Sequence, residues 1–446
     1  MAEGTEHAGD ARISRRELVK RAGVGAGGVL LSGAAAGPAW ARPKAHDASN
    51  TIKIGFVSPR TGPASGFGEP DGYVLGLARK ALAKGLTVAG KQYSVQVVDK
   101  DGQSTPSRGA QVANDLIHGT KVDLMLTTST PETTNPVSDA SEAAGVPCIS
   151  TVVPWEAWYF GRGAKPGQPS PFRFTYHFCF GVREAFDNYT HLWPQVPTNK
   201  KVGVMWPNDA DGNAIRAGLG PLLEKAGYTI VDPGAYQDGT NDYSAQIGKF
   251  KSEGVQIFNT FPIPPDFATF WRQAAQQGLT KQIKIAQIAK TGLFASQVSA
   301  LGSLGYNLAS GAYWGPTWPY HSPLTGIKNK DLAAGYTQAS GKQWNQQLGP
   351  SLALFDVAAA VLKASGNPKD KTKVANAMKK LQVMTPLGVL HWGTGGVKNP
   401  VPNVVTTPIP GGQWIKGSGK FKYVWVFCEH TDDHNIPIQA KLKPYS

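Results

Sequence analysis

Short β-rich runs alternate along this chain with amphipathic helical patterns, and near residue 200 the alternation starts again. The first series has strands at 52–58, 93–99, 122–127 and 146–149. Between them lie a Gly/Pro-rich loop at 59–68 and helices at about 70–84, 106–118 and 135–144. Such alternation predicts a parallel sheet covered by helices on both faces, because parallel neighbours need a crossover and a helix usually supplies it. The restart falls at 201–206, where Val202-Gly203-Val204-Met205 echoes Ile54-Gly55-Phe56-Val57. More strands are expected at 229–232, 255–260 and 283–288, with helices near 243–253, 265–277 and 291–301. Helices at about 331–340, 350–364 and 370–381 then precede a strand-prone tail that ends in 423–428. The fold class is therefore α/β, built as two doubly wound lobes.

Composition agrees with that size. The chain has 446 residues, 41% hydrophobic and 17% charged, enough for two lobes with real cores. Its net charge of +14 raises the question of nucleic acid. The lysines are scattered singly, with no arginine-rich block and no nucleic-acid motif, so a solvated basic surface with no nucleic-acid partner is expected. Cys148, Cys179 and Cys428 are too few for a disulfide scaffold and lack metal-ligand spacing; Cys179 and Cys428 could pair only if the fold brings them together.

The first residues carry a separate signal. Ser14-Arg15-Arg16-Glu17-Leu18-Val19-Lys20 precedes a Gly/Ala/Leu-rich stretch at 22–36, and Ala39-Trp40-Ala41 ends it with small outer residues. This order predicts a twin-arginine export signal over residues 1–41, cleaved near Ala41, with the Tat machinery as a partner. The apolar stretch is shorter than the roughly 20 residues that span a bilayer, and no Cys follows it to take a lipid. The expected product is extracytoplasmic and free of the membrane. Gly23, Gly25 and Gly28 match a dinucleotide-loop spacing by accident, since no strand precedes them.

Particular motifs in order go further. Ile54-Gly55-Phe56-Val57-Ser58-Pro59 leads into Thr61-Gly62-Pro63 and Gly66-Phe67-Gly68; Val98-Asp99-Lys100-Asp101-Gly102-Gln103 is followed by Pro106; Ser129-Thr130, Pro136-Val137-Ser138-Asp139 and Gly145-Val146-Pro147 come next. The series resembles the solute-binding component of a branched-chain-amino-acid-type (HAAT) ABC transporter, a type I periplasmic binding protein. The resemblance implies that residues 51–176 and 320–382 form one lobe, and 180–311 and 384–446 the other. Three hinge crossings would fall near 174–181, 311–319 and 383–392. A small solute, amino-acid-like or an aromatic or apolar carboxylate, would be gripped between the lobes and delivered to a permease. No G-x-x-x-x-G-K-[ST] motif occurs, so the ATPase subunits would be separate chains. No cofactor is implied.

In parallel sheets the ligand crevice forms at the carboxyl ends of the strands. That places Ser129 and Thr130 after the third strand, and Thr151, Val152, Val153 and Trp155 after the fourth, among the candidate ligand contacts, with Phe67 in the first loop and Phe261 in the second lobe. Turn formation and helix capping are the alternative for Ser129 and Thr130, and their position favours ligand contact over it. The family's amino-acid binders carry an acidic side chain where this chain reads Gln287-Ile288-Ala289-Lys290-Thr291. Lys290 there would repel an ammonium and favour a second anionic or polar group, arguing against a standard amino acid. Trp155, Trp158, Tyr159, Phe160, Trp314 and Trp318 suit either an aromatic solute or the packing of an insertion. An exported sensory receptor of the same fold, or an exported enzyme, are the alternatives. Against catalysis, the chain has no G-x-S-x-G or H-E-x-x-H, and His430-Thr431-Asp432-Asp433-His434 lies in a polar tail.

Overall fold

The computed structural model describes residues 50–446, so the export signal expected over 1–41 lies outside the described residues. The strands are β1 (Thr51–Ser58), β2 (Leu86–Val88), β3 (Lys91–Asp101), β4 (Leu124–Thr128), β5 (Cys148–Thr151), β6 (Thr175–Phe178), β7 (Lys201–Met205) and β8 (Thr229–Val231). They continue with β9 (Ile257–Thr260), β10 (Ile285–Ile288), β11 (Ala309–Gly311), β12 (Gln382–Thr385), β13 (Gly388–His391), β14 (Val404–Val405), β15 (Gly411–Lys416) and β16 (Tyr423–Phe427). The α-helices are α1 (Asp71–Leu82), α2 (Pro106–Asn114), α3 (Pro131–Ala143), α4 (Trp155–Tyr159), α5 (Val182–Leu192) and α6 (Ala210–Lys225). After them come α7 (Ser244–Ser252), α8 (Pro264–Gln276), α9 (Ala295–Ala300), α10 (Asn329–Ser340), α11 (Leu348–Ala364) and α12 (Lys371–Met378).

Two seven-stranded sheets result. The first runs β14-β6-β5-β4-β1-β3-β2 and the second β16-β15-β11-β10-β9-β7-β8. Pairing is parallel except for β2 on β3, β15 on β11 and β16 on β15. Successive strands build outward to opposite sides of β1 in the first sheet and of β7 in the second. The order therefore reverses between β1 and β4, and again between β7 and β9, which are the switch points where such sheets leave a crevice.

The chain leaves the first sheet after β6 and enters α5, which packs on α6 and β15. It leaves the second after β11 and returns to α10 and α11, with α11 lying on α1, β4 and β5. The third passage differs from expectation. Residues 383–392 form the β12–β13 hairpin, which packs against α11, and β14 pairs in parallel with β6. His177 N–H donates to Asn403 O and Cys179 N–H to Val405 O, so residues up to 405 stay with the first sheet and the crossing lies between Val405 and Gly411. A two-residue strand in a Gly/Pro-rich tail has no periodicity to reveal it.

The β1 strand is buried on both faces, as parallel strands are, and Phe56 stacks on Phe355 of α11 at 5.7 Å. Gly55 gives Met125 room, since a Cβ there would meet its Sδ at 2.6 Å. The three cysteines are buried and free, so Cys179 and Cys428 are not bridged.

A buried polar knot fixes the floor of the crevice. Asp71 accepts from Ser58 Oγ (2.5 Å) and Ser351 Oγ (3.0 Å), while Gln347 Nε2 donates to Thr128 Oγ1 (2.9 Å) and Ser351 Oγ (3.1 Å). Thus β1, β4, α1 and α11 are tied together beneath the strand ends. Burial pushes the Asp71 carboxyl up to about 7, against its two hydroxyl donors. The native state therefore holds a proton that the unfolded chain has already released, and this contribution is present at low pH and lost as pH rises through 7. Melting of Asp71→Asn should lose this component: its stability falls less steeply than wild type from pH 4 to 7, by up to about 1 kcal/mol per pH unit. Parallel profiles for the two proteins would contradict a protonated Asp71.

Candidate functional site

The switch points of both sheets open onto one cavity, about 590 Å³ of empty space with its mouth included. Phe67, from the loop after β1, and Thr130, Val152 and Pro154, after β4 and β5, form its first wall. Asp211 and Phe261, after β7 and β9, join Ile288, Ala289, Lys290 and Leu293 after β10 in the second. Phe180, Tyr313 and Ile409 come from the three crossings, and Ala185 and Tyr189 from α5. The Phe67 and Phe294 rings meet edge-on at 4.8 Å, joining the loop after β1 to the segment after β10.

Five of the nine candidate contacts therefore line the cavity: Phe67, Thr130, Val152, Phe261 and Lys290. Four do not. Ser129 is fully buried, its Oγ 2.9 Å from Thr128 Oγ1. Thr151 Oγ1 donates to Phe178 O at 2.7 Å inside the sheet. Val153 packs with Ala157, Trp158 and Tyr159, and Trp155 lies against Tyr159 and Phe160. The Trp158–Phe160 rings, Phe172 and the guanidinium of Arg162 thus pack the insertion onto the first sheet. Trp314 is also a packing residue, set against Trp344 with its Nε1 bonded to Asn329 Oδ1.

The backbone of the first wall is strained. Ser129, Thr130 and Val152 have φ of 76°, 59° and 61°, left-handed values that cost non-glycine residues energy and cluster at functional sites. Thr130 begins α3 without a side-chain capping bond, so capping does not account for it. The amino end of the 13-residue α3 brings partial positive charge to this wall.

The second wall overturns the expectation for Lys290. Its Nζ lies 3.0 Å from Asp211 Oδ2 and 3.4 Å from Asp209 Oδ2, and the three side chains are only 7%, 4% and 8% exposed. Asp209 also caps α6 by accepting from Gly212 N–H at 2.6 Å. Lys290 is therefore neutralised twice over and does not act as a free cation. Burial works against its charge, but Asp211 and Asp209 hold its ammonium above the ordinary lysine range. Asp211 is pushed up to about 7 by burial, against the pull of Lys290. Sequence reasoning missed Asp211, Tyr189, Phe180, Tyr313 and Ile409. The rule that found Thr130 would have found Asp211, since Trp206-Pro207-Asn208-Asp209-Ala210-Asp211 follows β7 directly.

Ser150 Oγ and His177 Nδ1 are 2.8 Å apart, but His177 is fully buried, stacks on Trp158 and bonds Val153 O through Nε2. It is a core pair away from the cavity. Among the described residues, no group of three or more His, Cys, Asp or Glu side chains is placed to hold a metal ion. Nor is any described helix long and apolar enough to cross a membrane.

A single cavity fed by the carboxyl ends of two sheets can now be set beside known proteins. A family profile described as periplasmic binding protein matches residues 51–401. The chain belongs to the periplasmic binding protein family. It is 23% identical over 360 residues to the leucine-, isoleucine-, valine-, threonine- and alanine-binding protein of Pseudomonas aeruginosa, covering 79% of this chain and 88% of that one. A Leu/Ile/Val-binding protein homologue of Brucella melitensis is 23% identical over 46% of this chain, and the match spans only 53% of the relative's length. In fold this periplasmic binding protein resembles one from Burkholderia mallei, with a TM-score of 0.69 and 16% identity over 89% of this chain and 98% of that one. A Rhodopseudomonas palustris solute-binding protein in complex with 4-hydroxybenzoate aligns with a TM-score of 0.66 and 18% identity, over 86% and 99% of the two chains. A branched-chain amino acid transporter substrate-binding protein from Streptococcus pneumoniae, in complex with isoleucine, aligns at 0.63 and 18%, over 84% and 99%.

The ion triad gives this protein a testable weak point. Lys290→Met strands two buried carboxylates and should cost about 3 kcal/mol in chemical denaturation. Adding Asp211→Asn to it should restore part of that loss. A double variant less stable than Lys290→Met would mean that the pair is not coupled as the geometry requires.

Proposed function

We propose that this protein is an extracytoplasmic receptor that captures a small carboxylate-bearing solute between its two sheets by hinge closure and delivers it to an ABC permease served by separate ATPase subunits. The observation that carries this is the position of the cavity, where the switch points of both sheets meet and all three crossings contribute a residue. A solute there touches both walls at once, so its binding energy favours the shut form. The strained loops at Thr130 and Val152 and the amino end of α3 suit a carboxylate on the first wall. Phe67, Phe180, Tyr189, Phe261 and Tyr313 suit an apolar or aromatic body.

The second wall narrows the class. Two aspartates against one lysine disfavour a second carboxylate there and favour a hydroxyl or an ammonium. Leucine-like amino acids and hydroxybenzoates, named in the relatives and fold neighbours, both satisfy this pattern. In the same proposal the twin arginine at Arg15-Arg16 directs export, and the signal is removed near Ala41.

A thermal-shift panel tests it: leucine, isoleucine, 4-hydroxybenzoate, benzoate and short dicarboxylates. A solute at a hundred times its dissociation constant adds about 2.7 kcal/mol, which moves the midpoint by several degrees. The expected result is a shift with at least one monocarboxylate, reduced at least tenfold in affinity by Phe261→Ala, and none with the dicarboxylates. Silence across the panel would sink the receptor assignment; a dicarboxylate shift alone would sink the assignment of the second wall.

A further inference from the structure

The polar end of the cavity holds more acid than base, and the acids come from both sides. Glu132 stands in the first turn of α3, on the first-sheet side, and α3 lies against α6. Across from it, Asp209 and Asp211 share Lys290, with Asp238 and Asp266 behind them. Cys179, just after β6, with Tyr236 and Tyr243, are further titratable groups that feel this cluster. Lys290 Nζ reaches the Oδ2 atoms of both aspartates, and Gly212 N–H bonds Asp209 Oδ1. Asp211 Oδ1 is left buried with no partner.

Charge balance decides what that oxygen is for. Two carboxylates against one ammonium leave a negative charge at the edge of an apolar cavity, and Glu132 adds a like charge from the opposite side. An uncompensated buried charge is unfavourable, and a proton on the free oxygen removes it. Because Oδ2 is held by Lys290, that proton sits on Oδ1 and turns an orphaned acceptor into a donor.

We propose that solute capture is proton-linked: closing the cleft brings Glu132 up to the Asp209–Asp211–Lys290 group, Asp211 Oδ1 takes up a proton, and its O–H meets an uncharged oxygen at the far end of the solute. The inference rests on the hinge-closing receptor function proposed above and specifies its substrate class, a carboxylate carrying a hydroxyl or carbonyl oxygen at its other end. An ammonium cannot accept this hydrogen bond, and it competes with the proton for the same charge.

Calorimetric titration of the full mature chain with 4-hydroxybenzoate, from pH 6 to 8, tests the proposal. The proposal carries Asp211 on closing from the ordinary carboxylate range to about 7, and one-proton linkage then makes binding about tenfold tighter at pH 6 than at pH 8. Asp211→Asn cannot titrate and should give a flat profile, and Glu132→Gln a shallower one. A wild-type profile as flat as that of Asp211→Asn overturns the proposal, as does tighter binding at pH 8, which would put a cation on Asp211. If another panel member shifts the midpoint and 4-hydroxybenzoate does not bind, the hydroxyl end is overturned while the receptor stands. Failure of the whole panel is the separate failure of the receptor function.

Discussion

Parallel strands cannot be joined by tight turns, so each is followed by a crossover that carries the chain back to the same edge of the sheet. All carboxyl ends then open on one side. Where strand order reverses, the two adjacent crossovers diverge and leave a crevice that their loops must line. This chain meets the constraint twice, between β1 and β4 and between β7 and β9. Three passages between the sheets turn the two crevices toward one another, and the cavity follows from the topology.

Within that frame the two walls do different chemistry. The first offers backbone in costly left-handed conformations, held in place by the Asp71 and Gln347 knot below it. Tyr313 Oη reaches Gln347 Oε1 at 3.3 Å, so the knot extends to the second crossing and to the cavity lining. The second wall offers charge. Burying Lys290 alone would be prohibitive, and Asp209 and Asp211 make it tolerable while leaving one acid oxygen unsatisfied. That residual need separates a binding surface from a filled core.

Most of the fold could be read from the chain because its signal is local. β1 was expected at 52–58 and runs from Thr51 to Ser58; the helix expected at 265–277 runs from Pro264 to Gln276. What escaped was short or mixed in pattern: α5, with Glu184 and Asn188 among the apolar positions of its buried face, and the two-residue β14. At the site, chain position finds the loops that border the cavity but not which of their side chains face it. Thr130, Val152 and Phe261 follow strand ends and line the cavity, whereas Ser129, Thr151, Val153 and Trp155, taken by the same rule, pack into the sheet or the insertion. Lys290 was placed correctly and misjudged chemically, because no sequence pattern announces that Asp211, 79 positions away, would neutralise it.

The central claim is that a solute enters only when the walls part and is held only when they meet. A cross-link between the walls tests it directly. A Cβ on Gly66 would lie 3.4 Å from Phe294 Cγ, close enough for the variant G66C/F294C to form a disulfide that ties the two walls together. The account predicts that the oxidised variant excludes added solute, that solute loaded before oxidation stays trapped through dialysis, and that reduction reverses both. Free exchange of solute through the oxidised variant would contradict it.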